Sequence, residues 1–143
     1  MKILLLIVGF TCSVFAQAQQ IPAGVWQLND FKSGNALAYL KFERAPDGLR
    51  AVIVGIPKSS PLAKSPKCTT CPPRDARHNK PLQGMVVLDG LQAAGAGWVQ
   101  GNWLDLEKGF SYMANLMVVN QNQIKVSVMY GKMEKARLLY RVK

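Results

Sequence analysis

The chain has 143 residues, with 18 Lys+Arg against 8 Asp+Glu and a formal charge of +10. That length allows one domain and excludes a large multidomain enzyme. With 49% apolar residues the chain is too hydrophobic for intrinsic disorder, and a domain this size folds without a metal or a dense disulfide framework.

Met1-Lys2 is followed by an apolar run over residues 3–15 and then by Ala16-Gln17-Ala18. One positive charge, a short apolar core and an A-x-A site describe a secretory signal peptide over residues 1–18, cleaved after Ala18 or, as second choice, Ala16. The run is shorter than the roughly 20 residues of a spanning helix, so no transmembrane span is expected. A lipid anchor on Cys12 is the alternative, but Gly9-Phe10-Thr11 lacks the residues that a lipobox places before its cysteine. The expected product is an exported protein, periplasmic or secreted, with a single domain over residues 19–143. Cleavage removes Cys12 and leaves Cys68 and Cys71 as an even pair in an oxidising compartment.

The mature chain shows alternation and no long helical stripe. Gly24-x-Trp26 opens a first strand over 24–30. Over 36–44, Ala36, Ala38, Leu40 and Phe42 face one way, with Tyr39, Lys41 and Glu43 opposite. Pro46-Asp47-Gly48 turns the chain into 49–56, and strands over 84–91 and 98–105 follow later. After Glu107-Lys108-Gly109, Phe110, Tyr112, Ala114, Leu116 and Val118 alternate with Ser111, Met113, Asn115 and Met117. Beyond Asn120-Gln121-Asn122, Ile124, Val126, Val128 and Tyr130 form one face of the next strand. In the last strand Ala136, Leu138, Tyr140 and Val142 are assigned to the core side, against Arg137, Leu139, Arg141 and Lys143. A period of two means strands with one face on a core, and the intervening turn residues suit hairpins.

About eight strands joined mostly by short loops predict an all-β, antiparallel, up-and-down eight-stranded barrel, with a sandwich as the competing architecture. Such a barrel holds either its own side chains or one small ligand. The expected lining is Leu40, Phe42, Tyr112, Leu116, Val126, Val128 and Leu138. First and last strands are neighbours in this topology, so Arg141 is expected over the indole of Trp26, close to Gly24, as a cation–π contact closing the base.

Residues 57–80 break the pattern as a long loop with prolines at 57, 61, 66, 72 and 73. Loops beyond about 12–15 residues are usually functional or disordered. This one carries Lys58, Lys64, Lys67, Arg74, Arg77 and Lys80 against Asp75 alone, a surface for phosphates, anionic headgroups or acidic glycans, or simply a solubilising one. Nucleic acid is not expected, because export and the absence of interleaved aromatics argue against it.

Cys68-Thr69-Thr70-Cys71 reads first as a structural disulfide stiffening that loop, outside the strands. A redox motif would need a helix that Pro72-Pro73 disfavours. A zinc site would need two more ligands, and His78 is the only histidine. No nucleophile or carboxylate is placed to serve His78 as a base. No catalytic motif is present, so no enzyme, metal or cofactor is expected.

The chain resembles the bacterial exported family known as domain of unknown function 2147, from about Gly24 to Lys143. The resemblance is carried by Gly24-x-Trp26, Cys68-x-x-Cys71, Asn79-Lys80-Pro81-Leu82-x-Gly84-Met85, Trp98-x-x-Gly101, Asp105 with Gly109 and Tyr112, and Tyr140-Arg141. It implies a calycin, or lipocalin-like, barrel and no particular reaction. The chain departs from the family pattern at residues 105–112, 129–131 and 134–137, so a family ligand site built there would be altered. The functional expectation is a non-enzymatic exported barrel binding a small, partly apolar ligand. The alternatives are a cell-envelope interaction module using the 57–80 loop on anionic partners, and a solid barrel with a structural role.

Overall fold

The computed structural model describes residues 20–142, so the 1–18 leader lies outside the described residues. Eight strands follow one another: β1 (Val25–Asn29), β2 (Ala36–Ala45), β3 (Gly48–Gly55), β4 (Val86–Ala94), β5 (Gly97–Leu104), β6 (Ser111–Asn120), β7 (Gln123–Tyr130) and β8 (Met133–Arg141). Each pairs antiparallel with the next and β1 pairs with β8, which makes a closed barrel in sequence order. Closure leaves no strand edge unpaired. No helix among the described residues is long and apolar enough to cross a membrane.

The inward faces meet in one hydrophobic cluster in which Trp26, Trp103, Leu28, Leu40, Ile53, Leu88 and Leu116 are fully or almost fully buried. At one end, the base, lie the β2–β3, β4–β5 and β6–β7 hairpins, the start of β1 and the end of β8. Here Trp26 is in register with Arg141, whose guanidinium carbon sits 4.4 Å from the ring centroid. The same guanidinium donates to the Ala23 and Gln121 carbonyls, both at 2.5 Å. Gly24 has φ +88° with Arg141 packed against it, so both its conformation and its lack of a side chain are used.

β8 does not have the phase read from the sequence. Leu138 and Tyr140 are 38% and 39% exposed, whereas Leu139 is wholly buried. Opposed residues in a sheet share a face. Leu139 opposes buried Ile124 and Leu28, while Leu138 opposes Lys125 on the outer wall. The inward residues of β8 are therefore Lys135, Arg137, Leu139 and Arg141.

The 57–80 loop also differs from expectation, for it packs across the other end of the barrel, the mouth. Ser60 Oγ donates to the Leu37 carbonyl of β2 at 2.7 Å and caps a short 3-10 turn at Pro61–Lys64. Thr70 Oγ1 donates to the Leu106 carbonyl just beyond β5 at 3.2 Å, and Arg77 Nη2 donates to Ser111 Oγ of β6 at 2.9 Å. β2 and β6 stand opposite each other in a ring of eight, so a segment bonded to both spans the opening. The Cys68–Cys71 disulfide is formed, and both cysteines are buried within the core cluster. It therefore fastens the cap to the barrel as well as stiffening the loop. Apolar contact is the reason, because Leu62, Leu82 and Met85 pack against the core on the same side.

Candidate functional site at the barrel mouth

The site is built on the turn after β5. Asp105 is buried, and its Oδ1 accepts the backbone N–H groups of Glu107 and Lys108 at 2.9 and 3.0 Å. Its Oδ2 accepts the phenol of Tyr130 at 2.9 Å. Burial and the Asp105 carboxylate push the Tyr130 phenol well above its ordinary range, so Tyr130 stays a neutral donor. Gly109 completes the turn at φ +79°, pressed against the Thr70 carbonyl of the cap, where no side chain fits.

Tyr112 and Tyr130 lie on adjacent strands with ring centroids 4.4 Å apart. They continue the inward faces of Ala114 and Leu116 on β6 and of Val126 and Val128 on β7. Cations gather on these rings. Lys108 Nζ is 4.5 Å from the Tyr130 centroid and 5.9 Å from that of Tyr112. Lys135 Nζ is 5.6 Å from Tyr130 and 5.7 Å from Phe31, and the Arg137 guanidinium carbon is 5.9 Å from Phe31. Cation–π contact holds these side chains without neutralising them. None of the three is within 4 Å of a carboxylate among the described residues.

The nearby carboxyls are engaged elsewhere. Asp30 Oδ2 accepts the Ser33 hydroxyl at 2.7 Å and the Ser33 N–H at 2.9 Å, which holds its pKa down. Burial, and then the hydrogen-bonded Asp30 carboxylate beside it, push the Glu107 carboxyl up. Together Phe31, Asp105, Glu107, Lys108, Tyr130, Lys135 and Arg137 enclose a cavity of about 110 Å³. A second recess of about 230 Å³ shares Phe31 and Arg137 with it and continues over Ala136, Leu138 and Tyr140 on the outside of β8.

The residues singled out from the sequence fall in several places. Leu40, Phe42, Leu116, Val126 and Val128 are buried in the core, Tyr112 is at the mouth, and Leu138 is in the outer recess. Lys58, Lys64, Lys67, Arg74 and Lys80 are exposed, whereas Arg77 is bound to Asp75 at 2.7 Å and draws its carboxyl down to about 2. Arg77 and Lys80 border a groove of about 670 Å³ on the outer wall, with Met85, Val86, Asp89 and Asn102. His78 Nδ1 donates to the Cys71 carbonyl at 2.6 Å and Nε2 accepts from Asn79 at 3.1 Å, so both ring nitrogens are used in the cap. Sulfurs joined to each other are not free thiolates, so this form of the chain offers no zinc-binding cysteine pair.

Phe31, Lys108, Lys135 and Arg137 are not assigned to a site by the sequence, although a signal for two of them, Lys135 and Arg137, is present. If Arg141 faces the Trp26 indole, a period of two places Leu139, Arg137 and Lys135 on the same face.

Among solved structures, the chain is similar to one described as "Protein HP1028 from the human pathogen Helicobacter pylori belongs to the lipocalin family". The TM-score is 0.71 at 18% identity, over 88% of this chain and 85% of that one, which establishes a shared fold. No curated protein matches. The family model described as "Uncharacterized protein conserved in bacteria (DUF2147)" matches residues 24–138, nearly the whole of the described barrel, and the chain belongs to that family.

Proposed function

We propose that this chain is an exported, non-enzymatic barrel that binds a small, partly apolar ligand at its mouth. The observation that carries this reading is the continuous inward face running from the Tyr112–Tyr130 pair to Leu116, Val126 and Val128. Leu40 and Phe42 belong to the same packed cluster. A pocket with apolar walls and a few placed polar groups is the usual form of a small-molecule site. The lipocalin-like fold agrees with binding, although fold alone is only an analogy for function. The use of both His78 nitrogens in the cap supports a non-enzymatic role.

Mature protein purified from its native envelope and weighed by native mass spectrometry tests the proposal. A bound molecule that competes with an apolar fluorescent probe is the expected result. No co-purifying molecule together with no probe binding overturns it.

A second reading rests on the exposed Lys58, Lys64, Lys67, Arg74 and Lys80, which have no carboxylate partner among the described residues. It takes the loop to be an envelope interaction surface for anionic partners. Binding to anionic vesicles should then fall steeply with salt, since exposed charges are screened within about 8 Å at physiological ionic strength. Salt-insensitive binding, or none, removes this reading.

A further inference from the structure

We infer that the mouth selects an amphipathic anion, with a carboxylate or phosphate head among Lys108, Lys135 and Arg137 and an apolar chain laid over Phe31 toward Leu138 and Tyr140. This rests on the ligand-binding reading above and names the class of ligand.

Charge is the first support. Three cations converge on one small cavity and none has a carboxylate within 4 Å among the described residues. The carboxylates beside them are satisfied from other directions. Asp105 is occupied by two N–H groups and a phenol and Asp30 by Ser33, while Arg137 acts on Asp30 and Glu107 through charge without an ion pair within 4 Å. A charged hydrogen bond to an incoming anion is the interaction these side chains still have to make. Their positions are already restrained, by the Tyr112, Tyr130 and Phe31 rings and by the Arg137 Nη2 bond to the Asn29 carbonyl at 3.0 Å. Less freedom is then lost on binding.

Size is the second support. The cavity of about 110 Å³ is well below the roughly 300–1,000 Å³ of a site for a whole drug-sized molecule, and it suits a head group. The remainder of the ligand must leave the cavity. The adjoining recess begins at the same Phe31 and Arg137 and offers Leu138 and Tyr140. Phe31 is 64% exposed, an apolar ring between the cationic cavity and the Leu138 and Tyr140 stretch of the recess, which Asn29 and Asp30 also line. A single chain with an anionic end matches that sequence of surfaces.

The experiment compares decanoate, decanol and decyltrimethylammonium, each below its aggregation threshold, by calorimetry and by amide-shift mapping on the mature protein. Decanoate is expected to bind with shifts at Phe31, Tyr112, Tyr130 and Arg137. Decanol should bind about tenfold more weakly, because the charged hydrogen bonds are missing. The ammonium compound should not bind. Lys108→Ala with Lys135→Ala should weaken decanoate by about tenfold while the near-ultraviolet signal of the buried tryptophans is unchanged. Decanol binding within twofold of decanoate, or decanoate shifts confined to the 57–80 loop, overturns the anion assignment and leaves the ligand reading standing. If none of the three binds and the envelope-purified protein carries nothing, the ligand reading itself falls and this inference falls with it.

Discussion

Asp75 and Arg77 show how one pair of residues orders a loop. Arg77 meets Asp75 through its backbone N–H at 2.8 Å and its guanidinium at 2.7 and 3.0 Å, and reaches on to Ser111. Those bonds lower the Asp75 carboxyl to about 2, from an ordinary value of 3.8. A depressed folded pKa gives stability that is present above the unfolded value and lost as pH falls through the folded one. Amide-exchange protection in the cap should therefore be constant above about pH 4 and decline toward pH 2. Asp75→Asn should show reduced protection at neutral pH, by less than about 1 kcal/mol because the pair is only half-buried. Equal protection in Asp75→Asn and wild type at pH 6 would contradict this. The disulfide acts on a larger scale from two residues. Because Cys68 and Cys71 are buried in the core, the Cys68→Ser/Cys71→Ser variant should lose about 2–4 kcal/mol in chemical unfolding. A change restricted to loop mobility, with global stability unaltered, would return the bridge to a local role.

At the level of elements, β8 decides which side chains reach the mouth. Its inward residues are Lys135, Arg137, Leu139 and Arg141, so one strand joins the cationic mouth to the cation–π contact at the base. Leu138→Ala and Leu139→Ala provide a paired test of that phase. Deleting the buried Leu139 side chain should cost about 2–4 kcal/mol in urea unfolding. The outward Leu138 should cost no more than about 0.5 kcal/mol. Similar losses for both would mean that β8 is not held in this register. The phase was hard to read because Leu138-Leu139-Tyr140 is apolar on both faces, so alternation near the end of β8 carries no sign. The charged residues before it do carry one, but inward-facing Lys and Arg look like solvent-facing residues until a mouth is there to receive them.

For the whole molecule, the eight strands and their order were legible in residues 24–142, because period-two alternation and Gly, Pro and Asn turns act over a few residues each. Closure was legible too, since an up-and-down chain of eight strands brings first and last together. The proximity of Cys68 and Cys71 likewise came from their spacing. The sequence determined these features because each depends on neighbours along the chain. Tertiary structure decided that residues 57–80 cap the barrel, that the disulfide sits in the core, and that Phe31, Lys108, Tyr130, Lys135 and Arg137 share one cavity. Those five residues come from two separate strand connections and two strands, and their convergence depends on barrel register and curvature. A shift of one residue turns every side chain of a strand to the other face. Local pattern therefore settles the elements, while the site exists only once the ring has closed and its register is set.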